Sequence, residues 1–316
     1  MIPYLAGAAL VVAALILFAM RRAGQGKDHG MPPAPAVSPP ATPLSTPPCD
    51  PPISEAEFEA LRAALEDDPL PALGLDPDPA RTILPTGSRF GGPAWLAAGE
   101  SWPCDASGIP LEFIAQLNFS ELPHLPDFPE SGLLQFFIKR DDLYGANFEA
   151  PLQGEARVIW RSHPGDGLVH APPPLEESPA RPFADFSPLT DGKTRNEGLA
   201  IAAIPFMGLP DPLGREIEPL ASELFGRPGD ERVEAMLDAQ AERSPVHHAG
   251  GHPAFTQWDF RPVLGGDMGE YDRVLLRLTS DDTFMWGDSG EAVFMIRRED
   301  LLRKDFSRVV FWWDCL

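Results

Sequence analysis

Between residues 53 and 316 the apolar positions fall mostly into short runs, rich in β-branched and aromatic side chains and bounded by glycine and proline. They are LEFIAQLNF (111–119), LLQFFI (133–138), ARVIW (156–160), LAIAAI (199–204), RVLLRL (273–278), EAVFMI (291–296) and RVVFWW (308–313). Each predicts a strand. Two segments show helical spacing instead. In SEAEFEALRAALEDD, Ser54 and Glu57 stand three apart as a capping box: the hydroxyl can accept from the Glu57 N–H while the carboxylate reaches back. Phe58, Leu61 and Leu65 then share one face. In DERVEAMLDAQAER, Asp230 can cap, and Val233, Met236, Leu237 and Ala241 form the apolar stripe. Few helices of crossover length separate the strands, so they should pair mainly antiparallel. The expected fold class is α+β with mainly antiparallel sheets.

The pattern also repeats at long range. Gly91-Gly92 precedes PAWL, and Gly250-Gly251, 159 residues later, precedes HPAF. FFIKRDDL (136–143) is matched by FMIRREDL (294–301) at a shift of 158, and each half holds a strand between its markers, EFIAQLNF or VLLRLTSD. Such spacing predicts an internal duplication, two similar subdomains at about 80–190 and 191–316.

The amino-terminal pattern differs. Ile2 to Met20 is nineteen residues without a charge, which as a helix would extend roughly 28 Å and match a bilayer's hydrocarbon core. Arg21 and Arg22 follow the apolar run rather than precede it, which favours an uncleaved anchor over residues 1–22 rather than a signal peptide. The positive-inside rule places these arginines and Lys27, with everything downstream, on the cytoplasmic side of a single-pass membrane protein. Residues 23–52 read as a Pro-rich linker: ten of the twenty-two residues from Met31 to Pro52 are proline. In polyproline-II geometry that stretch would reach up to roughly 70 Å. A folded domain over 53–316 follows.

Charge narrows the partners. The chain carries −22, and its first 52 residues hold three basic and two acidic side chains, so residues 53–316 carry −23. Such a field repels phosphate backbones and argues against nucleic-acid binding. A cationic partner fits it, as does a solvated acidic surface. Cys49, Cys104 and Cys315 lie far apart and form no C-x-x-C pair, against a disulfide framework or a zinc knuckle.

MWGDSGEAVF (285–294) contains Gly-Asp-Ser-Gly, the sequence around the nucleophile of chymotrypsin-like proteases. A catalytic Ser289 needs a histidine oriented by a buried aspartate. Glu291 stands where that family has a glycine, no histidine lies in an Ala-Ala-His-Cys setting, and Gly-x-Ser-x-Gly is missing too. A turn between two strands explains the composition, with no catalytic residue assigned. His248 and His252 stand four apart, but Gly250, Gly251 and Pro253 make that stretch a loop, so no metal site is assigned. Asp141-Asp142 and Asp281-Asp282 lack calcium-loop spacing. No Gly-rich phosphate loop is present, and no cofactor is expected.

The blocks GGPAWL, WPCDASGIPLEFIAQLNFSEL, GLLQFFI, GGHPAFTQWDFRP, SDDTFMWGDSGEAVFMI and EDLLRKDFSRVVFWWDC, over about residues 80–316, resemble the YwqG-like family of bacterial proteins. The resemblance implies a mixed α+β fold with antiparallel sheets and no established activity. Its matching positions are Gly91, Gly92, Trp102, Pro103 and Gln116 in the first half. In the second they are Gly251, Pro253, Gln257, Asp259, Arg261, Trp286, Gly287, Asp288, Gly290, Asp305, Phe306, Asp314 and Cys315. Ser289 falls on the variable place of Trp-Gly-Asp-x-Gly. From these residues the leading expectation is a noncatalytic binding or scaffolding module recognising a protein or peptide. Its surface would be acidic and aromatic-rimmed, made by Gln257, Asp259, Arg261, Trp286 and Asp288. The structural alternative puts Trp286 in the core, joins Arg261 to Asp288 and lets Gln257 bond a loop. A second expectation is a hydrolase with Asp259 and Asp288 as acid and base and Arg261 holding an anionic group. A role in toxin immunity or envelope maintenance rests on family association and membrane location.

Overall fold

The computed structural model describes residues 53–66, 68–173, 187–209 and 245–316. The expected anchor, the Pro-rich linker and the helix expected at 230–243 lie outside the described residues. No helix among the described residues is long and apolar enough to cross a membrane.

Helix α1 (Glu55–Glu66) begins as its capping box requires: the Ser54 N–H donates to Glu57 Oε2 at 2.8 Å, and the Glu57 N–H donates to Ser54 Oγ at 3.3 Å. Among the described residues twelve strands follow in chain order. They are β1 (Leu70–Asp78), β2 (Arg89–Phe90), β3 (Ala94–Ala97), β4 (Glu112–Asn118), β5 (Leu133–Ile138) and β6 (Arg157–Arg161). Then come β7 (Gly167–His170), β8 (Leu199–Gly208), β9 (His247–Gly250), β10 (Arg273–Thr279), β11 (Glu291–Ile296) and β12 (Val310–Asp314). Short helices α2 (Gly192–Glu197), α3 (Phe260–Leu264) and α4 (Arg298–Arg303) fill the connections. All seven expected strands are present.

Instead of a sheet for each half, ten strands form one continuous antiparallel sheet in the order β12-β11-β10-β9-β1-β8-β2-β4-β5-β6, with β3 and β7 as a separate ribbon. The order reads alike from both edges. From the short strand at each Gly-Gly pair three later strands run outwards, β2-β4-β5-β6 to one edge and β9-β10-β11-β12 to the other, and the long pair β1 and β8 lies at the centre. Each of these two pairs on its far side with the short strand of the other half, β1 with β9 and β8 with β2. Irregularities fall at matching places, around Ile114 in β4 and Leu275 in β10. The Gly-Gly pairs match as well. Gly91, Gly92, Gly250 and Gly251 all have φ between 57° and 76°, where a side chain is strained.

β1 escaped the sequence reading because LPALGLDPD carries two prolines, which argue against a central strand. Its pairing with β9 covers only Ala72–Gly74, so Pro71 and Pro77 lie outside it. Likewise β8 pairs with β2 only at Leu199 and Ala200, and Pro205 lies beyond.

The sheet curls so that β5 and β11 face each other, Phe136 and Phe294 meeting with ring centroids 5.0 Å apart. This inner face holds the main core, including Phe90, Leu134, Phe284, Trp286 and Phe311. Burying each such side chain contributes on the order of 1.5–3 kcal/mol. The outer face of each half is covered by the loop that follows its glycine pair. One covers Phe113 and Phe137; the other covers Val293, Met295 and Trp312.

Candidate functional site

The sequence blocks of the second half meet at one end of the sheet. There the β10–β11 turn, the end of β12, the loop after Gly251 and the turn after β5 come together. Asp314 accepts from the N–H groups of Thr256 and Gln257, each at 3.0 Å, and so pins the loop to β12. The Gln257 side-chain amide donates to the Cys315 carbonyl at 2.5 Å, and the Leu316 N–H donates to the Asp288 carbonyl at 3.2 Å. From the first half, Tyr144 stacks edge-on against both Trp286 and Trp313, with centroids 5.1 and 5.0 Å away. Trp313 Nε1 donates to the Leu143 carbonyl at 2.8 Å.

The five residues expected to form a surface divide here. Gln257 and Asp288 are exposed. Trp286 is fully buried and stacks on Phe284, so it supports the turn from beneath and cannot rim a surface. Asp259 and Arg261 are both buried and pair with each other: Arg261 donates from Nε to Asp259 Oδ1 at 2.9 Å and from Nη2 to Oδ2 at 2.7 Å. Asp259 also caps α3 by accepting from the Arg261 N–H, and Arg261 Nη1 donates to the Tyr271 carbonyl. Arg261 therefore binds Asp259, not Asp288, and its guanidinium forks onto a carboxylate of its own helix. A shallow cleft of about 260 Å³ lies between residues 149–153 and Leu264, Asp267 and Met268, and none of the five lines it.

Ser289 is exposed with φ 58°, and the Gly290 N–H donates to the Trp286 carbonyl, so the tetrapeptide is a turn. An Asp–His pair does exist nearby, His247 Nε2 lying 3.2 Å from Asp281 Oδ2. But the imidazole is buried and its Nδ1 accepts from the Thr279 N–H at 3.3 Å, which leaves no ring nitrogen to act as a base. Among the described residues no hydrogen bond joins Ser289 to an imidazole. Burial works to raise the Asp281 pKa, yet the His247 ring and the Phe284 and Thr283 amides hold the carboxyl below its ordinary value. His248 donates from Nδ1 to the Gly250 carbonyl at 2.9 Å, and burial pushes its pKa down to about 3. His252 bonds the Asp68 carbonyl instead of sharing a ligand with it. Among the described residues no cluster of three metal-ligating side chains occurs.

Buried polar rows escaped the sequence reading. In the first half Gln135 donates to the Trp95 carbonyl and to Gln116 Oε1, both at 2.8 Å, and accepts from Arg161 Nε at 2.7 Å. Arg161 also pairs with Glu100 at 2.8 Å. The corresponding row in the second half runs from Arg277 through Glu291, 2.5 Å apart, to Asp314, which lies opposite Glu291. Burial and the facing Glu291 raise the Asp314 pKa against the pull of the two loop amides. Each row pins the loop that covers its half. One signal was available: Gln135 interrupts the otherwise apolar LLQFFI. A third group joins Glu112, buried at the start of β4, to Arg195 Nε at 2.8 Å and Arg140 Nε at 3.3 Å. Arg89 is buried with backbone carbonyls as partners, and burial lowers its pKa to about 10.

Fold and site together define a predominantly antiparallel domain with few helices, whose curled ten-stranded sheet ends in a turn clamped to the last strand. The chain belongs to the family described as Domain of unknown function (DUF1963), whose model matches residues 88–315. A comparison with curated protein sequences returns no match.

Proposed function

We propose that the protein is a noncatalytic binding module of YwqG-like type that recognises a protein or peptide through the end of the sheet where the β10–β11 turn meets β12. The observation that carries this reading is the convergence of the Trp286–Gly290, Gln257 and Asp314–Cys315 blocks there. Two of the five residues, Gln257 and Asp288, face solvent on this buried aromatic support. The hydrolase alternative has less behind it, because the Asp259 carboxylate is already taken up in capping α3 and binding Arg261. In the same reading residues 2–20 anchor the chain in a membrane, residues 23–52 form a stalk and the domain faces the cytoplasm. The halves at about 80–190 and 191–316 are duplicated units, and the long strands β1 and β8, which precede β2 and β9 in the chain, each pair with the other unit's short strand. The matched irregularities in β4 and β10 support this, as do the hairpin-closing bonds from Phe119 N–H to Gly132 O and Ser280 N–H to Gly290 O.

Trp286→Ala or Arg261→Ala would test folding rather than binding, since both side chains are buried. The discriminating experiment is a pull-down with the full chain in mild detergent, comparing wild type with Gln257→Lys and Asp288→Lys. A partner retained equally by both variants would remove the support for this surface.

A further inference from the structure

The end of the sheet described above has an exposed apolar part and an uncompensated charge. Leu143 and Met285 are 42% and 43% exposed, and Trp313, whose Nε1 donates to the Leu143 carbonyl, is partly exposed. They belong to segments that the Tyr144 ring ties together through Trp286 and Trp313. Asp142 adjoins Leu143 in the chain, and Asp282 and Asp288 stand three residues to either side of Met285; all three are exposed, and none forms an ion pair among the described residues. Other carboxylates close by are already compensated. Asp141 has Lys139 at 3.4 Å and Glu291 has Arg277, while Asp281 accepts a hydrogen bond from the His247 ring. Lys139 itself is shared with Glu155. The three remaining charges add to a domain field of −23 over residues 53–316.

Exposed apolar side chains flanked in the chain by carboxylates without ion pairs select an occupant by charge complementarity. We infer that the partner at this face is a cationic protein segment, in which lysine or arginine side chains flank an apolar one. The apolar side chain rests on Leu143, Met285 and Trp313, and the cations meet Asp142, Asp282 and Asp288. This inference rests on the binding-module reading and names the chemical class of its partner. An acidic segment would bring like charges together, and a purely polar one would leave the apolar side chains wet.

The test uses the full chain in a neutral detergent and fluorescence anisotropy of three labelled hexapeptides. One has the sequence KRLWRK, one is its charge-reversed form EDLWDE, and one is the apolar-free KRSGRK. KRLWRK is expected to saturate, to weaken several-fold between 20 and 200 mM salt as screening grows, and to bind more tightly than KRSGRK. EDLWDE is expected not to bind. The triple variant Asp142→Asn, Asp282→Asn, Asp288→Asn should weaken KRLWRK about tenfold or more, with an unchanged melting temperature showing that the fold is intact. The double variant Leu143→Ser, Met285→Ser should weaken KRLWRK but not KRSGRK. Equal binding of KRLWRK by the triple variant, or binding of EDLWDE as tight as that of KRLWRK, overturns the inference. If EDLWDE binds and the double variant loses it, the cationic class falls while the binding-module reading stands. If no peptide binds and no pulled-down partner depends on any variant of this face, both fall.

Discussion

Gly290 offers the sharpest physical test of the turn that holds this site. Its φ is not positive, so any penalty for a side chain there comes from space alone. A Cβ at Gly290 would lie 1.9 Å from the Asp314 carbonyl oxygen and 2.6 Å from the Cα and Cβ of Cys315. Two of these three atoms are backbone and cannot rotate away. Restoring van der Waals contact would push β11 and β12 apart by about 1 Å or more, at the register point where Glu291 faces Asp314. Overpacking of this kind costs roughly 1–3 kcal/mol, and each ladder or loop hydrogen bond lost adds about 1 kcal/mol. Gly290→Ala should therefore destabilise by about 3–4 kcal/mol, lowering the melting temperature by roughly 6–12 °C or more for a domain of this size. Ser289→Ala, one residue away and exposed, should change stability by less than about 0.5 kcal/mol. Urea unfolding of both variants, read as the shift in midpoint at constant slope, makes the comparison. A Gly290→Ala variant as stable as Ser289→Ala would refute the argument that the turn is clamped against the last strand. Labelling of Ser289 by a fluorophosphonate would refute the accompanying claim that its hydroxyl is chemically idle.

Trp286→Ala should lose about 3–5 kcal/mol, as expected for truncating a fully buried aromatic side chain; a loss below about 1 kcal/mol in the same urea assay would place Trp286 outside the core. Glu112→Gln should cost about 3 kcal/mol, because it leaves the buried Arg195 guanidinium without its carboxylate, and unchanged thermal unfolding would contradict that. His248 is buried neutral with its pKa pushed to about 3, so the unfolded chain binds the proton first. The stability it contributes is fully present above about pH 6.5 and is lost as pH falls from there towards 3. His248→Gln should flatten the dependence of the urea midpoint on pH between about 6.5 and 4, and an unaltered slope would show that the ring already accepts protons in the folded state.

The seven β-branched and aromatic runs were legible as strands because burial on one or both faces of a sheet, complete in β4, β5 and β11, demands side chains that pack on a pleated surface, a requirement written locally in each run. The capping box of α1 was equally local, since both of its hydrogen bonds join residues three apart. Ser289 as a turn residue could be read from the glycines around it. What no local pattern contained was the pairing at the centre of the sheet, where β1 pairs with β9 and β8 with β2 across more than a hundred residues. The same prolines that made β1 look unlike a central strand fit it, because the second pairing stops at three residues. The candidate surface shows the same division. Gln257 and Asp288 stand out by composition, but whether Trp286, Asp259 and Arg261 face water depends on which side of a strand or helix each occupies. That orientation is set by long-range register, so identical residue types became core and cap in one place and surface in another.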